Sequence, residues 1–208
     1  MPRRLLITCL AVLLVAVPAW LALVRWLQGD SASPAARYEQ WHSRHVAEVA
    51  SYQAFLDRDG VGAIVPMAQL LRLGRRWRQC GGDEFAVPPS DRWPGIVPTL
   101  RLYSDLRLHA LIGAAQAASG YRGDAFNRCE GGSRASRHLG NQAIDLDLDH
   151  AMSPDETVEL CQAWRRIGPR SGWGLGFYST TQIHIDTAGF RTWGPDYHSS
   201  SSPCGGNR

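Results

Sequence analysis

No stretch of this chain concentrates charge of one sign. Charged residues make up 20% of it, the formal net charge is +3, and the basic residues are scattered. A nucleic-acid interface needs a clustered basic face, so no nucleic-acid partner is expected. No internal repeat is present, which argues against stacked-repeat architectures. None of the five cysteines forms a C-x-x-C pair, which sets aside a four-cysteine zinc site. And no charge interrupts residues 5–24, LLITCLAVLLVAVPAWLALV.

That uncharged run is the most legible segment. Twenty residues in a helix span roughly 30 Å, about one bilayer core. Arg3 and Arg4 precede it and hold the N-terminus in the cytoplasm, so the remainder is exported. Cleaved signal peptides usually have a shorter apolar region, roughly 7–15 residues. Residues 1–27 are therefore expected to be an uncleaved anchor. The alternative is cleavage, for which Ser31-Ala32-Ser33 and Pro34-Ala35-Ala36 offer sites. Cys9 follows Thr8 too early in the run for a lipoprotein and belongs to the membrane segment. Export into an oxidising compartment makes disulfides the natural fate of Cys80, Cys129, Cys161 and Cys204. Three pairings are open to the sequence. Cys80 with Cys129 and Cys161 with Cys204 is the preferred one.

The 208 residues suffice for one globular domain with additional segments. The eight Trp serve either a core or a substrate groove. Residues 28–37 read as a linker. One helix is expected over 38–59, with Tyr38, Trp41, His45, Val49, Tyr52 and Leu56 on one face. A second starts at Pro66 and breaks at Cys80-Gly81-Gly82. Residues 80–98 hold four Pro and three Gly and read as irregular. Helical character returns over 99–119, and residues 121–142 read as loop. Ala143–Asp149 alternates apolar and acidic residues, which predicts a strand with one carboxylate face. Ser153-Pro154-Asp155-Glu156 opens a helix expected to reach about Arg166. Residues 172–178 read as a glycine-rich turn or strand, and 181–186 as a second alternating strand. The tail, 195–208, is flexible unless Cys204 ties it down. Helices first and strands later indicate the α+β class.

His138 and Asp145 are seven residues apart, the first in a loop and the second on a strand; His184 follows on the second strand. Two imidazoles and a carboxylate suit a catalytic zinc ion, because three protein ligands leave a position for water. Spacing alone is weak evidence for this.

The surrounding residues add to it. Gly120-Tyr-Arg122, Asn127, Gly131-Gly132, Ser136-Arg-His138-Leu-Gly140 and Ala143-Ile-Asp145-Leu together resemble the zinc D-Ala-D-Ala carboxypeptidases, which share their fold with the hedgehog signalling domain. Gly174-Leu-Gly-Phe-Tyr178, His184-Ile-Asp186, Arg191 and Trp193 extend the resemblance over about residues 98–194. Leu70–Pro89 is similar to an N-terminal extension of some members.

The resemblance implies a small α+β peptidase acting on peptidoglycan stem peptides. A small antiparallel sheet would carry the zinc site, packed with helices, after an N-terminal helical extension. The division would be an anchor at 1–27, an extension and linker at 28–97, the peptidase domain at 98–194 and the tail. Zinc would be held by His138, Asp145 and His184, and Arg122 would bind a substrate carboxylate or the developing oxyanion. The competing role for Arg122 is a loop-fixing salt bridge. The chain departs from the family where members carry Glu three residues, or His five residues, before the last ligand: here stand Thr181 and Ser179. Asp186 shares a strand face with His184 and is the nearest titratable candidate, either as general base or as the group that orients His184. Asp147 and Asp149 are expected to support the site or face solvent, and Ser136 to fix the metal loop through its hydroxyl. The location implied is the periplasmic face of a bacterial inner membrane. The rival readings are a metal-binding peptidoglycan module without catalysis and a membrane-tethered assembly scaffold. The sequence does not fix the bond cut or the oligomeric state.

Overall fold

A computed structural model describes Trp20 and residues 32–205. Apart from Trp20, the apolar run expected to anchor the chain lies outside the described residues. Among those described, no helix is long and apolar enough to cross a membrane. The chain divides into two compact units between Arg44 and His45.

The first unit contains helix α1 (Pro34–His42), opened by Ser33, whose side chain accepts from the Ala36 N–H at 3.2 Å. The helix expected over 38–59 is therefore two, with α2 at Val46–Arg58. The break falls at Ser43–His45, where His45 leaves helical geometry at φ −128°, ψ 21°.

In the second unit, α2 buries Val49, Tyr52 and Leu56, the periodic face read from the sequence. The helix from Pro66 is only one turn, α3 (Met67–Leu70). Beyond it the chain turns extended, and Arg72 bridges to Phe85. A 3-10 turn (Ser90–Ile96) leads into α4 (Val97–Leu108). The expected helix over 99–119 stops there, because Ala110 and Gly113 take positive φ. Gln116–Ser119 forms strand β1 against β2 (Ala143–Asp147), so pairing overrides the helix propensity of its alanines. The segment read as loop holds α5 (Asp124–Cys129) and a 3-10 turn at Arg137–Gly140.

Helix α6 (Pro154–Ser171) begins as its sequence predicts. Ser153 and Glu156 cap each other reciprocally, with Pro154 in the first turn. It runs past Arg166 and ends where Gly172 adopts φ 67°, a left-handed stop that suits glycine. Strands β3 (Gly174–Phe177), β4 (Gln182–Asp186) and β5 (Arg191–Trp193) follow. The class is α+β, as read. The sheet order is β1-β2-β4-β3-β5, antiparallel except for the parallel β3–β5 pair. Along β4, Ile183 and Ile185 alternate with His184 and Asp186, and all four are buried. Thr99 on α4 donates to the Gln142 carbonyl at 2.6 Å, tying the helix to the start of β2.

Two disulfides join Cys80 to Cys129 and Cys161 to Cys204. The second fastens the C-terminal segment to α6, the condition under which the tail was expected to be tied down. Each bridge closes a long loop (sequence separations 49 and 43) and restricts the unfolded chain. Replacing either pair with serine is expected to cost about 2–4 kcal/mol, read as a lower denaturant midpoint at unchanged slope. A midpoint equal to the parent's would contradict this.

Candidate metal centre

Antiparallel pairing sets Asp145 on β2 directly opposite His184 on β4. His138 arrives from the 3-10 turn, which ends at Asn141 in left-handed geometry (φ 52°). The three side chains are buried, at 2%, 1% and 4% exposure for His138, Asp145 and His184. Their ligand atoms all lie within 4.8 Å of one another.

The outer hydrogen bonds decide which nitrogens face inward. His138 Nδ1 sits 2.7 Å from the Gly120 carbonyl, which can only accept, so Nδ1 carries the proton. His184 Nε2 sits 2.9 Å from Asp186 Oδ2 and donates to that carboxylate. His138 Nε2 and His184 Nδ1 are left as lone pairs, 3.2 Å apart. Asp145 Oδ1 completes the triangle at 3.1 and 2.9 Å from them. Three electron-rich atoms converge with no donor of their own between them. A tetrahedral ion with bonds of about 2.0–2.1 Å has ligand–ligand edges of roughly 3.3–3.4 Å, so the triangle fits a cation of that kind.

The electrostatics suit a cation at His138 and Asp145, while His184 without one is drawn toward its protonated form. Burial, aided by the Arg122 guanidinium, lowers the His138 pKa to about 4, which keeps the imidazole neutral as a ligand must be. Burial opposes charge on Asp145, but His138 and Arg122 outweigh it and hold the carboxyl well below its usual range. Burial likewise opposes charge on His184, yet its hydrogen bonds with Asp145 and Asp186 prevail and raise its pKa. For Asp186, desolvation is overcome by His184 and Arg191, and the pKa falls to about 2.

A supporting layer fixes each residue of the cluster. Arg122 is buried and pairs with Asp145 Oδ2, leaving Oδ1 for the cluster. Its Nε also donates to the Leu73 carbonyl (3.1 Å) and Ser119 Oγ (2.9 Å). The salt-bridge geometry that competed with substrate binding for Arg122 is thus present. The Gly120 backbone passes so close to the Leu70 carbonyl that any Cβ would collide with it, and this approach aims the Gly120 carbonyl at His138. Asp186 is fully buried, and both of its oxygens are engaged. Arg191 donates to Oδ1 (3.0 Å) and Oδ2 (2.6 Å), and the Ala188 N–H donates to Oδ1. It therefore meets His184 at the nitrogen turned away from the cluster.

The cluster opens into a cleft of about 690 Å³. Tyr178 lines it and donates to Asp145 Oδ1 at 3.0 Å. Burial and the neighbouring Asp145 carboxylate push the phenol pKa up, so Tyr178 is a donor at neutral pH. Other predicted residues lie elsewhere. Asp147 pairs with Arg75, and Asp149 accepts from the Ala114 N–H and meets His150. The loop around Ser136 is fixed through its backbone, which donates to the Ser133 carbonyl and accepts from the Leu139 N–H, rather than through its hydroxyl. Ser179 and Thr181 bond each other in an exposed turn, 3.1 Å apart. Sequence reasoning gave no role to Ser119, Arg75 or Tyr178. For Tyr178 the available signal was its position just after the glycine-rich strand that pairs with the ligand-bearing one.

Residues 94–186 match the family model described as Peptidase M15. No curated protein and no solved structure matches the chain. The matched segment contains His138, Asp145 and His184, and it is similar to the M15 peptidases.

Proposed function

We propose that this chain is a zinc peptidase that hydrolyses peptide bonds in peptidoglycan stem peptides or cross-links. The observation that carries the reading is the buried triangle of two imidazole lone pairs and one carboxylate oxygen, opening into a cleft within an M15 segment. His138 Nε2, Asp145 Oδ1 and His184 Nδ1 would hold the ion. When bound, zinc supplies Lewis acidity toward the peptide carbonyl and an acidified water.

The remaining work falls to the chain's own groups. Gly120 and Asp186 orient the two imidazoles. Arg122 divides the oxygens of Asp145, so its main role here is positioning. Tyr178, neutral and now donating to Asp145 Oδ1, would turn its hydroxyl proton to the substrate oxygen as negative charge develops there. Replacing Tyr178 with Phe keeps the ring and deletes that donor. Turnover is expected to fall about 10²-fold with zinc content unchanged, measured by stem-peptide hydrolysis beside metal analysis. Unaltered turnover would remove Tyr178 from the reaction.

The apolar run at 5–24, preceded by Arg3 and Arg4, supports tethering to the inner membrane with the peptidase in the periplasm. The two disulfides are consistent with that compartment. Incubating zinc-loaded protein with purified peptidoglycan and analysing the fragments tests the activity directly.

A further inference from the structure

The cleft is chemically lopsided. Arg75 and Glu130 stand on the β1–β2 side, where Arg75 pairs with Asp147 and its N–H donates to Glu130 Oε1. The β3–β5 side is aromatic. The Trp193 ring lies 5.6 Å from the His184 ring and 4.9 Å from Tyr178, centroid to centroid. A Cβ on Gly176 would run into Trp193, so glycine lets this indole lie against β3. Tyr197 extends the wall, 5.5 Å from Trp193 and 6.3 Å from Tyr178.

Tyr197 is unusual in two respects. It is 69% exposed while lining the cleft, and its backbone sits at φ 66°, a region that bulky side chains rarely adopt. Such a conformation persists only where its surroundings impose it. Here they do. The Tyr197 N–H donates to the Gly194 carbonyl at 2.8 Å, and the Gly194 N–H to the His198 carbonyl at 3.0 Å. Asp196 accepts from the His198 N–H and from Ser201. Thr192 and Ser202 join through buried hydroxyls, and Cys204 is bonded to Cys161 on α6. Apart from Cys161, these residues lie beyond residue 186, where the family match ends.

We propose that Tyr197 and Trp193 form an aromatic subsite for the apolar side chain of the substrate residue flanking the scissile bond, and that the Cys161–Cys204 bridge holds Tyr197 in place. The subsite rests on the peptidase reading for its substrate. Its proximity to the ligand His184 sets its range, since a wall one ring away from the cluster reaches only the neighbouring residue. An aromatic surface favours a methyl-bearing side chain over a charged one.

The test uses the full chain in non-ionic detergent, stripped of metal so that binding is read without turnover. The probe is a stem pentapeptide ending in D-Ala-D-Ala, followed by calorimetry. Tyr197→Asn removes the ring while tolerating the left-handed backbone, and Tyr197→Phe keeps the ring. The Asn variant is expected to bind about tenfold more weakly, and the Phe variant like the parent. The Cys161→Ser/Cys204→Ser double variant, checked for native circular dichroism, should weaken binding as the Asn variant does. With zinc restored, KM should rise in the Asn variant while kcat stays near the parent value. Equal peptide affinity in the Asn variant and the parent overturns the subsite, as does a parent that binds no peptide. Ring-dependent binding by a zinc-loaded protein that never cleaves would leave the subsite standing and sink the peptidase reading.

Discussion

His184→Ala is expected to abolish stoichiometric metal binding and, with it, all peptide hydrolysis. The substitution removes the proposed ligand on β4 and leaves His138 and Asp145 facing a gap. Two ligands do not make a closed tetrahedral set with an open position for water. The fold should survive, because Ile183 and Ile185 on the opposite face of β4 remain buried and the ladder to β2 and β3 is backbone-made. His138→Ala should behave alike. Asp147→Asn serves as the control: its carboxylate pairs with Arg75 rather than joining the cluster, so metal content should stay at one equivalent. One equivalent of zinc in both histidine variants would show that the ion is held elsewhere.

Asp186→Asn is expected to weaken zinc affinity by about 10–100-fold, the usual cost of losing a group that orients a ligand imidazole. The geometry favours this over a proton-transfer role. Asp186 meets His184 at Nε2, whereas Nδ1 faces the cluster, and Arg191 and the Ala188 N–H hold its oxygens. Asparagine keeps the size and one acceptor, but its amide cannot reproduce both the His184 and Arg191 contacts. Activity should be low at limiting zinc and largely restored at saturating zinc. A loss of about 10²–10⁴-fold that persists at saturating zinc would instead mark Asp186 as the general base.

Two members of the cluster, Asp145 and His184, were legible as strand residues because alternation is a local pattern, while His138 stood out only through the family resemblance. Asp145 and His184 each stand at the polar beats of an apolar-polar strand, and β-pairing brings such faces together. The capping box of α6 was equally local. Of the supporting layer, Asp186 and Arg122 were named from the sequence, but the contacts that place Arg122 were not legible. Arg122, Ser119 and the Leu73 carbonyl meet only because a segment some fifty residues upstream lies against β1, with Arg122 separated from Leu73 by 49 positions. No periodicity encodes that contact. The helix expected through 99–119 failed for a related reason: the alanines of 114–118 favour helix locally, and only pairing with β2 makes them a strand. Residues 191–193 were too short to show alternation and became a strand through a parallel partner far from their own hairpin neighbours.

The proposed function is metal-dependent hydrolysis of cell-wall peptides at this cleft. Mass spectrometry of stem-peptide fragments tests it most directly, with the protein zinc-loaded in one arm and chelated in the other. Shortened or uncross-linked peptides are expected with zinc, none after chelation, and none with zinc in His138→Ala. Intact peptides after prolonged incubation with protein carrying one full equivalent of zinc would contradict it.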